Sequence, residues 1–212
     1  MYDFLFYFIL FLIYSIVGWI IEVFVMKYET NRWMDRGFLV GPFCPIYGFG
    51  GTYITIILGK YKSNLFMFFI CTVITTTILE YITSFVMEKL FKARWWDYTN
   101  KAYNINGRIC LLNSLAFGIM GTLLTYIINP ILINKLILIP KTPFTITSTI
   151  LLVMFILDII VSFIIINKLK INFETLKQDR TEEINDHVKK SLIKNINTLK
   201  ETSQKQLEII KK

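Results

Sequence analysis

Residues 31–51 read NRWMDRGFLVGPFCPIYGFGG and hold five of the chain's ten glycines and two of its five prolines. Gly and Pro disfavour a helix interior, so this stretch is the least helix-like part of the chain, yet it stands where a membrane-spanning segment is due. Its surroundings decide how it is read. Apolar runs at 4–26, 65–87, 109–128 and 145–166 each approach the roughly 20 residues needed to cross about 30 Å of hydrocarbon. A fifth run, 38–58, is apolar but broken. Across 212 residues, 54% are hydrophobic and 18% charged, with a mean hydropathy of +0.54, which excludes an ordinary soluble domain. The expected fold is all-α: a polytopic membrane helix bundle of about five spans, the second discontinuous.

Pro45 suits the first turn of a helix. A helix from Pro45 to Gly59 would be about 22 Å long at 1.5 Å per residue, too short to cross alone. Residues 38–44 would complete the crossing in extended or turn conformation. Irregular backbone at membrane depth is tolerated only where protein or a water-filled cavity satisfies it. A helix start there would present free N–H groups and partial positive charge to that cavity. A kinked helix or a re-entrant hairpin, with glycines serving close packing alone, is the alternative.

Lys and Arg in the connections set the orientation. With five spans and the N-terminus outside, 19 of the 23 basic residues fall on the cytoplasmic side, the C-terminus among them. The first run is too long for a signal-peptide core and lacks a basic leader and a cleavage site, so it is expected to span. The chain divides into a transmembrane bundle over 1–167 and a polar cytoplasmic helical tail over 168–212. That tail holds the single histidine, His187. The net charge of +8 is shared equally between the two parts. Attraction to anionic lipid accounts for it, so the lipid bilayer of the cell membrane is the expected surroundings and no nucleic acid is expected. Cys44, Cys71 and Cys110 are expected to be free thiols.

Polar residues inside apolar spans are the candidates for function. Ser15, Gly18, Trp19 and Glu22 share one face of the first span. Glu80, Ser84 and Glu88 step by four along the third. Glu80 lies deep in its run, where an ionised carboxylate needs a partner, a proton or water. The loop KLFKARWWDYTNKAYNINGRIC brings Trp96, Asp97, Asn104 and, at the start of the fourth span, Arg108. That arginine can reach lipid phosphate, or turn inward to pair with Glu80, Glu88 or a ligand anion. Trp95, Trp96 and Tyr98 also suit an interfacial aromatic belt. Gly118 and Gly121 read as packing contacts, and Pro130, Pro140 and Pro143 as the frame of an outer loop. Asp158, midway along the fifth span, is either a functional group or a protonated side chain bonded to a neighbouring Thr.

The candidate substrate-binding set is Glu22, Arg36, Pro42, Cys44, Pro45, Tyr47, Glu80, Glu88, Trp96, Asp97, Asn104 and Arg108. A salt-bridge cluster tying spans together is the structural alternative for the same residues. No phosphate-binding G-x-x-x-x-G-K-[ST] loop occurs, so the chain has no ATPase motif. The lone histidine is far from any motif Cys or Ser, and neither a catalytic residue, a metal nor a cofactor is expected.

Trp19 and Glu22, then DRGFLVGPFCPIYG at 35–48, Glu80 and Glu88, and WWDYTNKAYNINGRIC at 95–110 together resemble the bacterial CmpB-like family of ABC-transporter permeases, over about residues 4–130. The resemblance implies an integral membrane transport component working with a separate ATPase subunit or as a homo-oligomer. It carries over to Arg36, Gly37, Pro42, Pro45, Tyr47 and Gly48 in the first motif. In the second it carries over to Trp96, Asp97, Tyr98, Asn104, Gly107 and Arg108. Three functions remain open on these grounds. The first is a permease-like component with an inward-facing cavity for a charged solute or lipid headgroup. The others are a membrane-embedded enzyme acting on a lipid or isoprenoid phosphate at the inner leaflet, and a non-catalytic membrane partner.

Overall fold

The computed structural model describes residues 1–33, 37–91 and 94–168, with the single positions 190, 193, 194 and 197. Arg36 lies outside the described residues, as does the expected tail beyond Lys168 apart from those four positions. Helix α1 is Tyr2–Thr30, α2 is Pro45–Ile56, α3 is Leu65–Phe91, α4 is Leu111–Leu123, α5 is Asn129–Ile137 and α6 is Lys141–Lys168. A two-stranded ribbon, β1 (Asn104–Ile105) with β2 (Ile109–Cys110), lies between α3 and α4. The architecture is an all-α bundle. Four helical stretches, Tyr2–Tyr28, Leu65–Phe91, Leu111–Ile137 and Lys141–Ile166, are long and apolar enough to cross a membrane.

Helix α3 shows how the bundle sorts its residues. Ile70, Ile74, Ile78 and Ile82 are exposed, whereas Phe68, Thr72, Glu80 and Ser84 are buried. Both series step along single helical faces, and the polar one points inward. Apolar side chains outside and hydroxyl and carboxyl groups inside suit a lipid solvent, in which apolar burial supplies little drive for association.

The chain between α1 and α2 reverses direction. Asn31, with φ of 58°, ends α1 in the left-handed conformation, and Lys27 donates to its carbonyl oxygen at 2.8 Å, a recurrent form of helix stop. Helix α2 then runs antiparallel to α1. Gly18 faces the Tyr47 ring, Gly48 faces Ser15 and Phe11, and Gly51 faces Tyr14, where an added Cβ would lie 2.6 Å from the ring. Small residues on both helices permit this approach.

The apolar run over 38–58 is broken, as the sequence predicts, and is not among the four stretches long enough to cross. Its helix begins at Pro45 and ends at Ile56, with a short 3-10 turn over Leu58–Tyr61 rather than α-helix to Gly59. Twelve residues reach only about 18 Å. The preceding backbone finds its partners in neighbouring helices. Val40 N–H donates to Ser162 Oγ at 2.9 Å, Gly41 N–H to Asp158 Oδ1 at 3.0 Å, and Cys44 N–H to the Ser15 carbonyl at 2.9 Å. Asp158 therefore bonds to the irregular backbone ahead of α2 and approaches Ser162 at 3.5 Å; among the described residues no threonine takes that place.

Pro130 does not frame a loop. The fourth span continues past Ile128 to Ile137, through a π-helical segment over Leu124–Ile128 that leads into α5. Proline lacks an N–H and its ring crowds the carbonyl four residues back; the widened turn just before it accommodates both defects. The adjacent Asn129 is buried. It accepts from the Tyr14 hydroxyl at 2.6 Å and donates to Thr55 Oγ1 at 2.9 Å, joining α5, α1 and α2.

Candidate functional site

The start of α2 is the centre of the site. Cys44, extended and buried, precedes Pro45 at the first turn, so the free N–H groups of a helix start lie inside the bundle. From α1, Glu22 Oε1 accepts the Tyr47 hydroxyl at 2.7 Å. From α3, Glu80 faces the same cavity as Tyr98 and Glu22 and lies within electrostatic range of Glu22. Glu80 is 3% exposed, and among the described residues its Oε2 has no hydrogen-bond partner.

These groups line one cavity of about 140 Å³, together with Phe38, Cys44, Pro45, Thr83, Trp95, Trp96 and Phe117. A second cavity of about 190 Å³ shares Ile46, Tyr47, Glu80 and Phe117 with it and continues past Gly18, Gly50 and Gly51. The glycines thus do two things: they let α1 and α2 touch, and they leave space beside the half-helix.

A separate charged network lies on the far side of Trp96. Arg108 Nη1 pairs with Glu88 Oε2 at 2.9 Å and approaches Ser84 Oγ at 3.3 Å, with its guanidinium over the Tyr81 and Phe85 rings. Arg94 Nε reaches the same Glu88 oxygen at 2.7 Å, and its Nη1 lies 3.7 Å from Asp97. Trp96 joins the two regions, since it lines the cavity and donates from Nε1 to the Arg108 carbonyl at 2.9 Å.

The ribbon sets this geometry. Asn106 and Gly107 both have positive φ, and Arg108 N–H closes the turn on the Ile105 carbonyl at 3.0 Å. Asn-Gly is the preferred pair for such a turn and is the local signal for the ribbon, within a stretch whose composition otherwise reads as loop. Asn104 accepts from Gly107 N–H and donates to the Lys101 carbonyl, and Asp97 accepts from the Thr99 N–H and hydroxyl. Those two side chains hold the loop's own shape.

Of the residues singled out in the sequence, Glu22, Cys44, Pro45, Tyr47, Glu80 and Trp96 meet at one cavity. Glu88, Asp97, Asn104 and Arg108 belong to the neighbouring network and ribbon. Pro42 lines a different cavity, against Asp158 and Phe155 of α6. Arg108 chooses Glu88 over Glu80. Tyr98 and Phe117 complete the cavity without having been in the candidate set, and only the Tyr98 position lay within a recognised motif. Among the described residues, no group of three or more His, Cys, Asp or Glu is placed to hold a metal ion. Cys44, Cys71 and Cys110 form no disulfide.

A family model described as putative ABC-transporter type IV, the CmpB family, matches residues 9–163. The match runs through α6 and so includes Asp158, beyond the reach of the motifs that carry the resemblance. No curated protein and no solved structure matches the chain.

Proposed function

Because this chain belongs to the family described as putative ABC-transporter type IV, we propose that it is the membrane component of a transporter, with its binding site at the start of α2. The observation that carries this reading is the convergence of Glu22, Tyr47, Glu80 and Tyr98 on one cavity beside a helix that begins inside the bundle. Discontinuous spans of this kind place ligand-binding groups near the membrane midplane. The solute is charged, or is the headgroup of a lipid.

In this reading the cavity end of the bundle faces the cytoplasm, with the N-terminus outside and the C-terminus inside, in keeping with the distribution of Lys and Arg. A reporter active only outside the cell should work when inserted at Lys60–Lys62 and fail at the C-terminus; the reverse pattern would overturn the orientation. Without a phosphate-binding loop, energy comes from a separate ATPase subunit, and a second copy of the chain or that partner completes the pathway. An enzyme acting on a lipid or isoprenoid phosphate, the second reading, would need an arginine to bind the phosphate; among the described residues, Arg94 and Arg108 are engaged with Glu88.

Liposomes carrying the chain with its ATPase subunit should move a charged solute or lipid. Glu80→Ala should abolish that movement while the protein still inserts and folds. Movement unchanged by Glu80→Ala would sink the proposal.

A further inference from the structure

The polar cavity is one end of a longer space. The cavity of about 190 Å³ joins it through Ile46, Tyr47, Glu80 and Phe117. From there the lining residues step away by three or four along single helical faces: Ile21, Gly18 and Tyr14 on α1, and Tyr47, Gly50 and Ile54 on the antiparallel α2. The space is therefore a slot parallel to the helix axes. Along the fourth span it reaches from Phe117 to Ile128, a rise of about 16 Å at 1.5 Å per residue. That is close to half of a hydrocarbon core of about 30 Å, the depth of one leaflet.

The slot is apolar along its length and open on one side. Val17 of α1 and Leu123 and Ile128 of the fourth span line it and are exposed, so its mouth faces the bilayer. The hydroxyls on its walls are engaged within the bundle: Tyr14 donates to Asn129, Tyr47 to Glu22 and Thr76 to the Thr72 carbonyl. Glu80 stands where slot and polar cavity meet. A helix from a second copy does not suit the slot. Such helices dock on small residues, and here Gly18, Gly51 and Gly121 already face Tyr47, Tyr14 and Thr72. Gly50 alone leaves room, since an added Cβ would lie 3.5 Å from Leu79. A flexible hydrocarbon chain fits a slot of this shape. One polar end and an apolar length one leaflet deep are the outline of a lipid.

We infer that the ligand is an intact membrane lipid that enters sideways between α1 and the fourth span. It lays an acyl chain in the slot over Gly50 and places its polar head in the cavity bounded by Glu22, Tyr47 and Glu80. The inference rests on the reading of that cavity as the ligand site and narrows it, from a charged solute or a headgroup to a whole lipid taken from the bilayer.

The test is photo-attachment in nanodiscs. The full chain is placed in phosphatidylglycerol and phosphatidylethanolamine that carry a diazirine on one acyl chain, irradiated, and mapped by mass spectrometry. Attachment should appear at the buried slot residues Ile54 and Gly121 as well as on the outer surface. Gly50→Leu, which fills the slot, should reduce slot attachment severalfold. Gly50→Ala adds one ordinary contact and suits a helix, so it should fold as the native chain does and reduce attachment less. Attachment at the exposed Leu157 and Ile160 of α6 should stay unchanged in both variants. Slot attachment equal in all three proteins would overturn the assignment to the slot. Calorimetry with glycerophosphoethanolamine and glycerophosphoglycerol, the same heads without chains, separates the two readings. Their binding to a chain with an unlabelled slot would overturn the lipid inference and leave the cavity as a site for a soluble solute. Neither attachment nor binding would overturn both. An unlabelled slot together with a dimer mass in native mass spectrometry would assign the slot to a second copy and overturn the inference.

Discussion

The Tyr47 hydroxyl donates to Glu22 Oε1 at 2.7 Å, tying the first turn of the half-helix to the first span. The same tyrosine ring packs on Phe117 and against Gly18, so one side chain sets both the polar and the apolar side of the cavity. Tyr47→Phe keeps the ring and removes the bond. It should lower stability by about 1.5–3 kcal/mol, the range for a bond to a charged group, read as a drop in thermal midpoint in detergent. An unchanged midpoint would mean that water replaces the phenol without loss.

Gly18 is where α1 admits that ring. A side chain there would meet Tyr47 directly, and overpacking of this kind costs about 1–3 kcal/mol. Gly18→Val should therefore destabilise the fold, and Tyr47→Ala in the same chain should recover part of the loss. Thermal unfolding of the two single variants and the double variant measures the coupling; additive losses would show that the helices do not meet at this point.

Asp158 and Ser162 of α6 hold the irregular backbone ahead of α2. Asp158→Ala removes the acceptor from Gly41 N–H, a part-buried bond, at a loss of about 1 kcal/mol. Asp158→Asn retains a carbonyl oxygen and should lose less. The readout is maleimide labelling of Cys44, which is 6% exposed, followed by mass spectrometry. Labelling should accelerate in Asp158→Ala and stay near the native rate in Asp158→Asn; equal rates in all three proteins would contradict the anchoring role.

Glu88 serves two arginines with one oxygen. A double-mutant cycle of Glu88→Gln and Arg108→Lys should give a coupling of about 0.5–3 kcal/mol, as for residues sharing one network. Lysine keeps the charge but not the planar stacking over Tyr81 and Phe85, so Arg108→Lys alone should also destabilise. A zero coupling in chemical denaturation would place the guanidinium's contribution in its ring contacts alone.

The broken crossing was legible because Pro45 and the glycines before it have local conformational consequences. So was Glu80, whose depth inside an apolar run can be counted from the sequence. Partner choice was not legible. Nothing local tells Arg108 to prefer Glu88, or Gly41 to seek an acceptor 117 residues away; those pairings follow from how α3, α6 and the ribbon pack. Pro130 misled for a related reason. A proline near the end of an apolar run resembles a stop signal, and only the widened turn over Leu124–Ile128 lets the helix continue through it.

That widened turn also sets the angular register of everything after it. One residue advances a helix by about 100°, so an inserted residue lets a single span present unrelated faces to different neighbours. Before the insertion, Gly118 and Gly121 face α3; after it, Asn129 faces Tyr14 and Thr55. Deleting one residue from 124–128 would rewind the segment towards an ordinary helix. The change would swing Asn129 from its two hydroxyl partners while leaving the α3 contact in place.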